Sequence, residues 1–187
     1  SVSAFLLNRS SDLLVMDVSL RNSRSDNNHC ANSLYFSPDE IVQFEAASTP
    51  QTANQLENQE FDDGCIGFSY NPSWFHIRIN TPGQFIIHME GHDPNNSNTL
   101  RDIDFCMWGP FTDPTSPCVS QLTSSKIIDC SYSTNYIEDA YLGYPTNEHV
   151  HGGFGHGTVN YHVPQTGEYY ILMITNYSQQ PCNITFS

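Results

Sequence analysis

An acidic segment near the middle of the chain has the residue types and spacing of a cation-binding loop. Oxygen-bearing side chains recur at every second position from Asp93 to Thr99, and Asp104 stands at the twelfth position counted from Asp93. A turning loop directs alternate oxygens inward, and calcium is held by several such oxygens. The candidate calcium ligands are Glu90, Asp93, Asn95, Asp102 and Asp104. The alternative is a polar hairpin loop whose Asp and Asn side chains form local turns.

A second group of metal-binding residue types lies closer to the carboxyl end. Glu148 and three histidines occur within nine residues, interrupted by glycines. Imidazole nitrogens are ligands that zinc and nickel accept. The candidate zinc ligands are His149, His151 and His156. The alternative is a solvated, glycine-rich loop without metal.

Aromatic and charged side chains on one predicted strand offer a third kind of site. From Trp74 to Ile79 apolar and mixed positions alternate, which places Trp74, His76 and Arg78 on the same face. Aromatic rings exposed in this way stack on sugars or on an apolar patch of a partner. The candidate ligand-binding residues are Trp74, His76, Arg78 and Trp108. The alternative is that the two tryptophans pack inside the protein.

Motifs of common enzyme classes are missing from the sequence. There is no G-x-S-x-G elbow, no H-E-x-x-H helix and no glycine-rich phosphate loop. The carboxylate pairs Asp62-Asp63 and Glu138-Asp139 could serve a glycosidase. With 20 acidic residues such pairs arise by chance, so we expect no catalytic activity.

Short alternating runs must position these side chains. Strands are expected over residues 74–79, 85–89, 103–108, 127–132, 159–163, 169–174 and 183–186. Turns such as Thr81-Pro82-Gly83 separate them, and we expect the first two strands to form a hairpin. The run 169–174 is apolar at every position after Tyr170, so it belongs in the centre of a sheet. Many short strands without a helical period predict an all-β fold, an antiparallel β-sandwich of jelly-roll type.

The amino-terminal region is set apart by its pattern. Two apolar runs, 4–7 and 13–16, flank a turn-like polar cluster, which predicts an N-terminal arm or hairpin. We therefore divide the chain into an arm, residues 1–29, and a disulfide-stapled sandwich domain, residues 30–187. The first residue is not methionine, as expected of a mature fragment from which a targeting segment is missing.

The cysteines indicate an oxidising compartment. Six cysteines occur without a C-x-x-C pair, and only 14% of residues are charged, which is typical of a secreted, disulfide-bonded protein. The pairs we expect are Cys30–Cys65, Cys106–Cys182 and Cys118–Cys130. The alternative is that the thiols are free and buried.

The net charge limits the partners. A formal charge of −14 with a single lysine, Lys126, disfavours binding to nucleic acid or to an anionic membrane. No run of about 18 apolar residues could insert into a bilayer. The composition suits cations or neutral polar ligands such as glycans.

Several motifs of the second half resemble a known family. They are Ser73-Trp74-Phe75, the run from Asp102 to Phe111, Cys130–Ser133 and Gly167–Ser178. In this order they resemble the pre-peptidase C-terminal-like β-sandwich domains of large secreted bacterial proteins, with some similarity to CUB-like jelly rolls. The resemblance covers about residues 60–187. It implies a non-catalytic accessory domain that binds surfaces, substrates or calcium, or that assists secretion.

Three functions are therefore expected in order. The first is a non-catalytic binding or adhesion module of a secreted or cell-surface bacterial protein, facing a glycan or a protein surface. The second is a calcium-stabilised accessory domain that supports other domains of the same chain, a larger secreted enzyme or its export. The third is a small glycan-active hydrolase. All three place the chain outside the cell or on the extracellular face of its surface.

Overall fold

The computed structural model describes residues 2–5, 15–20, 27–37, 40–145 and 160–187. Two short helices, α1 (Ala53–Glu57) and α2 (Pro117–Ser120), join an otherwise all-β architecture, as expected from the sequence. The strands in chain order are β1 (Val2–Phe5), β2 (Val15–Leu20), β3 (Leu34–Tyr35), β4 (Ile41–Ala46), β5 (Pro72–Arg78), β6 (Phe85–Asp93), β7 (Asn96–Leu100), β8 (Asp104–Phe111), β9 (Ile127–Ser131), β10 (Ile137–Leu142), β11 (Tyr169–Thr175) and β12 (Cys182–Phe186).

These strands form the two sheets of a sandwich. The larger sheet has the order β1-β2-β4-β12-β6-β10, with β7 also paired to β6. The smaller sheet has the order β3-β5-β11-β8-β9. Strands β1 and β2 pair antiparallel, so the predicted N-terminal hairpin is confirmed. Two pairs, β2–β4 and β3–β5, are parallel rather than antiparallel, because long connections return the chain to the same end of the sheet.

The expected hairpin between the strands around Trp74 and Phe85 is wrong. Strand β5 pairs with β3 and β11, whereas β6 pairs with β12, β10 and β7 in the other sheet. The turn at residues 81–83 therefore crosses from one sheet to the other. Both strands direct apolar side chains into the space between the sheets, where Phe75 and Ile77 share a core with Ile87 and Met89.

The smaller sheet is buried on both faces over much of its area. On β11, Leu172 and Ile174 join the core between the sheets, while Ile171 and Met173 join a second core on the outer face. This central strand was predicted from its continuous apolar run. Loops from the segments 30–66 and 111–122 cover the outer core.

Two disulfides hold this cover in place, and their pairing differs from the one expected. The bonds are Cys30–Cys118 and Cys65–Cys130, while Cys106 and Cys182 are free and buried. The predicted pairs Cys30–Cys65, Cys118–Cys130 and Cys106–Cys182 are therefore wrong. Cys106 lies in the outer core and Cys182 in the core between the sheets, so the smaller sheet separates them.

Membrane crossing by a helix finds no support in the part of the chain that the structure describes. The helices there are too short and too polar to span a bilayer.

Candidate binding site

The ends of three neighbouring strands surround a pocket of about 230 Å³. Strand β8 runs antiparallel to β9 and β11, so its first residues meet the last residues of both. Asp104 is opposite Thr175, and Phe105 is opposite Ser131. The residues just outside these strand ends line the pocket; they are Asp102, Tyr132, Ser133, Thr134 and Tyr177.

Two carboxylates at this edge have buried oxygens without partners. Asp104 is only 1% exposed, and its Oδ1 accepts a hydrogen bond from the Ser133 backbone N–H at 3.1 Å. Its Oδ2 has no partner among the described residues, and neither does the buried Oδ1 of Asp102. Buried polar atoms are nearly always hydrogen-bonded, so two such oxygens together mark an unusual site.

Burial changes the protonation of this pair. Burial raises the pKa of Asp102 to about 6. Burial, and then the negative charge of Asp102, raises the pKa of Asp104 to about 8, although the Ser133 N–H acts in the opposite direction. At neutral pH Asp104 keeps its proton while Asp102 is mostly ionised. The pair therefore carries about one negative charge, on the residue that lines the pocket.

Ser133 connects Asp104 to a third acidic group. The Ser133 hydroxyl donates to Glu138 Oε1 at 2.9 Å, and Glu138 is only 3% exposed. The Ser133 oxygen in turn accepts from the Asn135 N–H at 2.9 Å. The segment after β9 is therefore fixed by hydrogen bonds on both sides of Ser133.

Tyrosines form the apolar walls. The Tyr132 hydroxyl donates to that of Tyr177 at 3.0 Å, and their rings meet edge to face with centroids 5.4 Å apart. The row continues through Tyr70, 6.3 Å from Tyr177, to the stacked and 55% exposed Phe68. The bond to Tyr177, and then burial, raises the pKa of Tyr132 to about 12, so its hydroxyl stays neutral.

The candidate calcium ligands are divided between two places. Glu90 contacts His88 at 3.1 Å and His92 at 2.9 Å. Asp93 forms an ion pair with Arg101 and accepts from the Asn95 backbone N–H at 2.8 Å. The β6–β7 connection is therefore a hairpin turn with its carboxylates already bonded.

Only Asp102 and Asp104 of the five candidates lie together at the pocket. Within the described ranges, no group of three or more His, Cys, Asp or Glu side chains is arranged to hold a metal ion. The candidate zinc ligands His149, His151 and His156 lie outside the described residues.

The two tryptophans are not available to a ligand. Trp74 and Trp108 are both 0% exposed, and they stack on each other with centroids 5.8 Å apart. The ring of Phe61 covers both edge to face. The prediction that they are exposed for ligand stacking is wrong, because the disulfide-held loops cover this end of the outer face.

The other two members of that candidate set remain accessible. His76 is partly buried and Arg78 is exposed, and Arg78 lies over the Tyr169 ring at 6.0 Å. His76 lies between the rings of Tyr35, at 5.8 Å, and Tyr169, at 6.4 Å. These four side chains form an open end of the same face.

Three residues of the pocket region were missed by the sequence analysis as site residues: Ser133, Glu138 and Tyr177. A signal for two of them exists. Ser131-Tyr132-Ser133 and Asn176-Tyr177-Ser178 both place a Tyr-Ser pair directly after a predicted strand. Glu138 carries no such signal, because one carboxylate among 20 acidic residues is not distinctive.

A second depression, of about 470 Å³, lies beside the covering loops, between residues 59–62 and 118–124. No buried polar atom without a partner lines it, in the described part of the chain. Its chemistry is therefore less demanding than that of the tyrosine-walled pocket.

Comparison with models of protein families and with curated proteins finds no match to this chain. The resemblance to pre-peptidase C-terminal-like domains consequently stays a prediction.

Proposed function

We propose that this chain is a non-catalytic binding module of a secreted or cell-surface protein, and that its ligand occupies the pocket between Tyr132 and Tyr177. The observation that carries the proposal is the pair of buried, unpartnered carboxylate oxygens on Asp102 and Asp104 at this pocket. Leaving such atoms without partners costs about 1–3 kcal/mol each. A fold that keeps them at a concave, aromatic surface is best explained by a ligand that bonds to them.

The disulfides support the compartment. Cys30–Cys118 and Cys65–Cys130 close loops over the outer core, and such bonds persist in oxidising surroundings. An extracellular module that meets a glycan, a protein surface or a neighbouring domain of its own chain is consistent with this arrangement.

A glycan-active hydrolase is the second candidate, and one observation favours it. Asp102 and Asp104 have pKa values of about 6 and about 8, the kind of separation that an acid and a base require. Asp104, however, is 1% exposed and does not line the pocket, so it has no contact with a bound substrate. Binding without turnover is therefore the better proposal.

A calcium-stabilised accessory domain is the remaining candidate. Carboxylate oxygens are the donors that calcium prefers, and Asp102 and Asp104 supply them side by side. Calcium needs more oxygen ligands than these two residues offer, which places this candidate behind an organic ligand.

The experiment is a binding screen of the full chain by biolayer interferometry. The probes are immobilised glycans, basic peptides and simple amines, with phosphate as buffer. A probe that uses the pocket loses at least about tenfold in affinity with Tyr177→Ala, about 1.4 kcal/mol. The matched control, Tyr35→Ala at the open end of the outer face, leaves that affinity unchanged.

Two results would contradict the proposal. One is a bound probe whose affinity is the same for the wild type and for Tyr177→Ala. The other is release of reducing sugar from a glycan by the wild type and not by Asp102→Asn, which would identify a hydrolase.

A further inference from the structure

We infer that the group held in the pocket is an alkylammonium ion, carried by a lysine-type primary amine or by a quaternary headgroup. The inference rests on the proposed function and names the chemistry of its ligand. It follows from the charge left unbalanced at the pocket, from the nature of the walls and from the shortage of metal ligands.

The charge at the pocket has no counterion among the described residues. Arg78 lies over Tyr169, Arg101 pairs with Asp93, and Lys126 donates to the Pro110 carbonyl oxygen at 3.0 Å. None of these three cations reaches Asp102. A net charge of −14 also concentrates cations around the molecule. A cationic ligand would therefore supply what the described protein groups do not.

The walls suit an organic cation with carbon substituents. Tyr132 and Tyr177 present rings at right angles to each other, with interplanar angle 87°. The faces of such rings attract an ammonium group, and their apolar surface packs against its methyl or methylene carbons. Asp102 provides the negative charge on one side, in the way that carboxylates and rings together hold substituted amines.

The oxygen donors are too few for a hard metal ion. The hydroxyls of Tyr132 and Tyr177 bond to each other, and the Ser133 hydroxyl bonds to Glu138. This leaves the free oxygens of Asp102 and Asp104. One or two hydrogen bonds satisfy an ammonium group whose remaining surface is apolar, whereas calcium needs several more oxygens.

The test is a nuclear magnetic resonance titration of the ¹⁵N-labelled chain in phosphate buffer, since Tris is itself an amine. The probes are choline and Nα-acetyl-lysine amide, each with a neutral analogue of similar shape: 3,3-dimethyl-1-butanol and Nα-acetyl-norleucine amide. The Ser133 amide, which bonds to Asp104, is the reporter. We expect a saturable shift with at least one amine and none with either neutral analogue.

The two amines distinguish the sources of the ammonium group. Saturation by choline alone indicates a quaternary headgroup, and saturation by the lysine analogue indicates a protein or peptide. Asp102→Asn should weaken the binding at least about tenfold, while Asp93→Asn, a carboxylate already paired with Arg101, should leave it unchanged. Should Asp102→Asn fail to fold, Tyr177→Leu keeps an apolar wall, removes the ring and should also lose the binding.

Four results would overturn the inference: no shift with either amine, an equal shift with a neutral analogue, unchanged amine binding by Asp102→Asn, or a Ser133 shift caused by calcium chloride alone. Its failure is distinguishable from failure of the proposed function. A screening probe that depends on Tyr177 and is not displaced by either amine leaves the pocket a binding site and rejects the ammonium ligand. Probes that all ignore Tyr177 reject the binding site itself.

Discussion

Two neighbouring acidic regions of this chain use their carboxylates in opposite ways. On the β6–β7 hairpin, Glu90 contacts two histidines and Asp93 pairs with Arg101. At the start of β8, Asp102 and Asp104 each keep a buried oxygen without a partner in the described structure. The hairpin carboxylates stabilise their own turn, whereas those at the strand ends are left for something else.

The difference teaches that a run of acidic residues does not define a site. In the sequence the segment from Glu90 to Asp104 is one continuous cluster with regular spacing. In the structure the hairpin is accessible, and its charges find partners on the same or the next strand. The carboxylates at the β8 end are buried beside Glu138 and each other. Unsatisfied, buried atoms separate the two regions more clearly than charge density does.

The largest expected effect is on Asp104. Its pKa of about 8 lies above the value of 3.8 for a free carboxyl, so the folded state binds the proton more tightly than the unfolded state. Its contribution to stability is complete below about pH 4 and is lost as the pH rises through about 8. Without ligand, Asp104→Asn should therefore be more stable than the wild type at pH 8.5 by about 1–3 kcal/mol, with little difference at pH 4.

Urea unfolding at the two pH values measures this difference. A variant that is less stable than the wild type at pH 8.5 would contradict it, because the carboxylate would then have a partner that the asparagine cannot replace.

The second prediction installs the missing cation within the chain. Thr134 is exposed and lines the pocket, so Thr134→Lys places an ammonium group near Asp102. We expect the pKa of Asp102 to fall below about 6, and the variant to gain about 1 kcal/mol at pH 8. Carboxyl ¹³C titration gives the first quantity and urea unfolding the second. Thr134→Met, of similar length without charge, is the control, and an equal gain there would assign the effect to apolar contact.

The third prediction concerns the paired region and has the opposite sign to the first. Asp93→Asn removes the charge that faces Arg101, and the two side chains are 19% and 23% exposed. The loss of a partly exposed ion pair should lower the free energy of unfolding by about 1 kcal/mol or less. The same urea measurement at pH 8.5 tests it. Stabilisation by Asp93→Asn would remove the contrast between the two regions.

The smallest effect is expected at His88. Partial burial lowers the pKa of His88, but hydrogen bonds to Asp139 and Glu90 outweigh it, and the net shift is upward from 6.5. The resulting stability is present below about pH 6.5 and is lost as the pH rises through the raised value. Because the side chain is 47% exposed, His88→Gln should remove only about 0.3 kcal/mol at pH 5.5. Unfolding profiles at pH 5.5 and pH 8.5 should differ less for the variant.

The strands were predictable because their signal is local. Alternation in β5 and the continuous apolar run in β11 show which faces are buried, and the structure confirms both. The pairing of β5 with β6 was not predictable in the same way. The turn at residues 81–83 reads as a hairpin locally, but the choice between turning back and crossing to the other sheet depends on the apolar faces of distant strands.

The site was predictable only in part, for a related reason. Asp102 and Asp104 stand out in the sequence, but spacing suggested Asp93 and Asn95 as their companions. Their actual neighbours, Ser133 and Tyr177, follow other strands, and the register of β8 with β9 and β11 brings them near. The burial of Trp74 likewise depends on loops whose position is determined by disulfides between distant cysteines.

The third cysteine of the outer core has a consequence for how the chain acquires its bonds. Cys106 stands directly opposite Cys130 in the β8–β9 register. A side-chain carbon on Gly64 would lie 3.1 Å from the Cys106 sulfur and 3.2 Å from that of Cys130. During oxidation Cys130 can therefore be captured by its strand neighbour before the segment carrying Cys65 arrives. The yield of correctly bonded protein in an oxidising compartment then depends on how fast that loop settles, and Cys106→Ala removes the competitor.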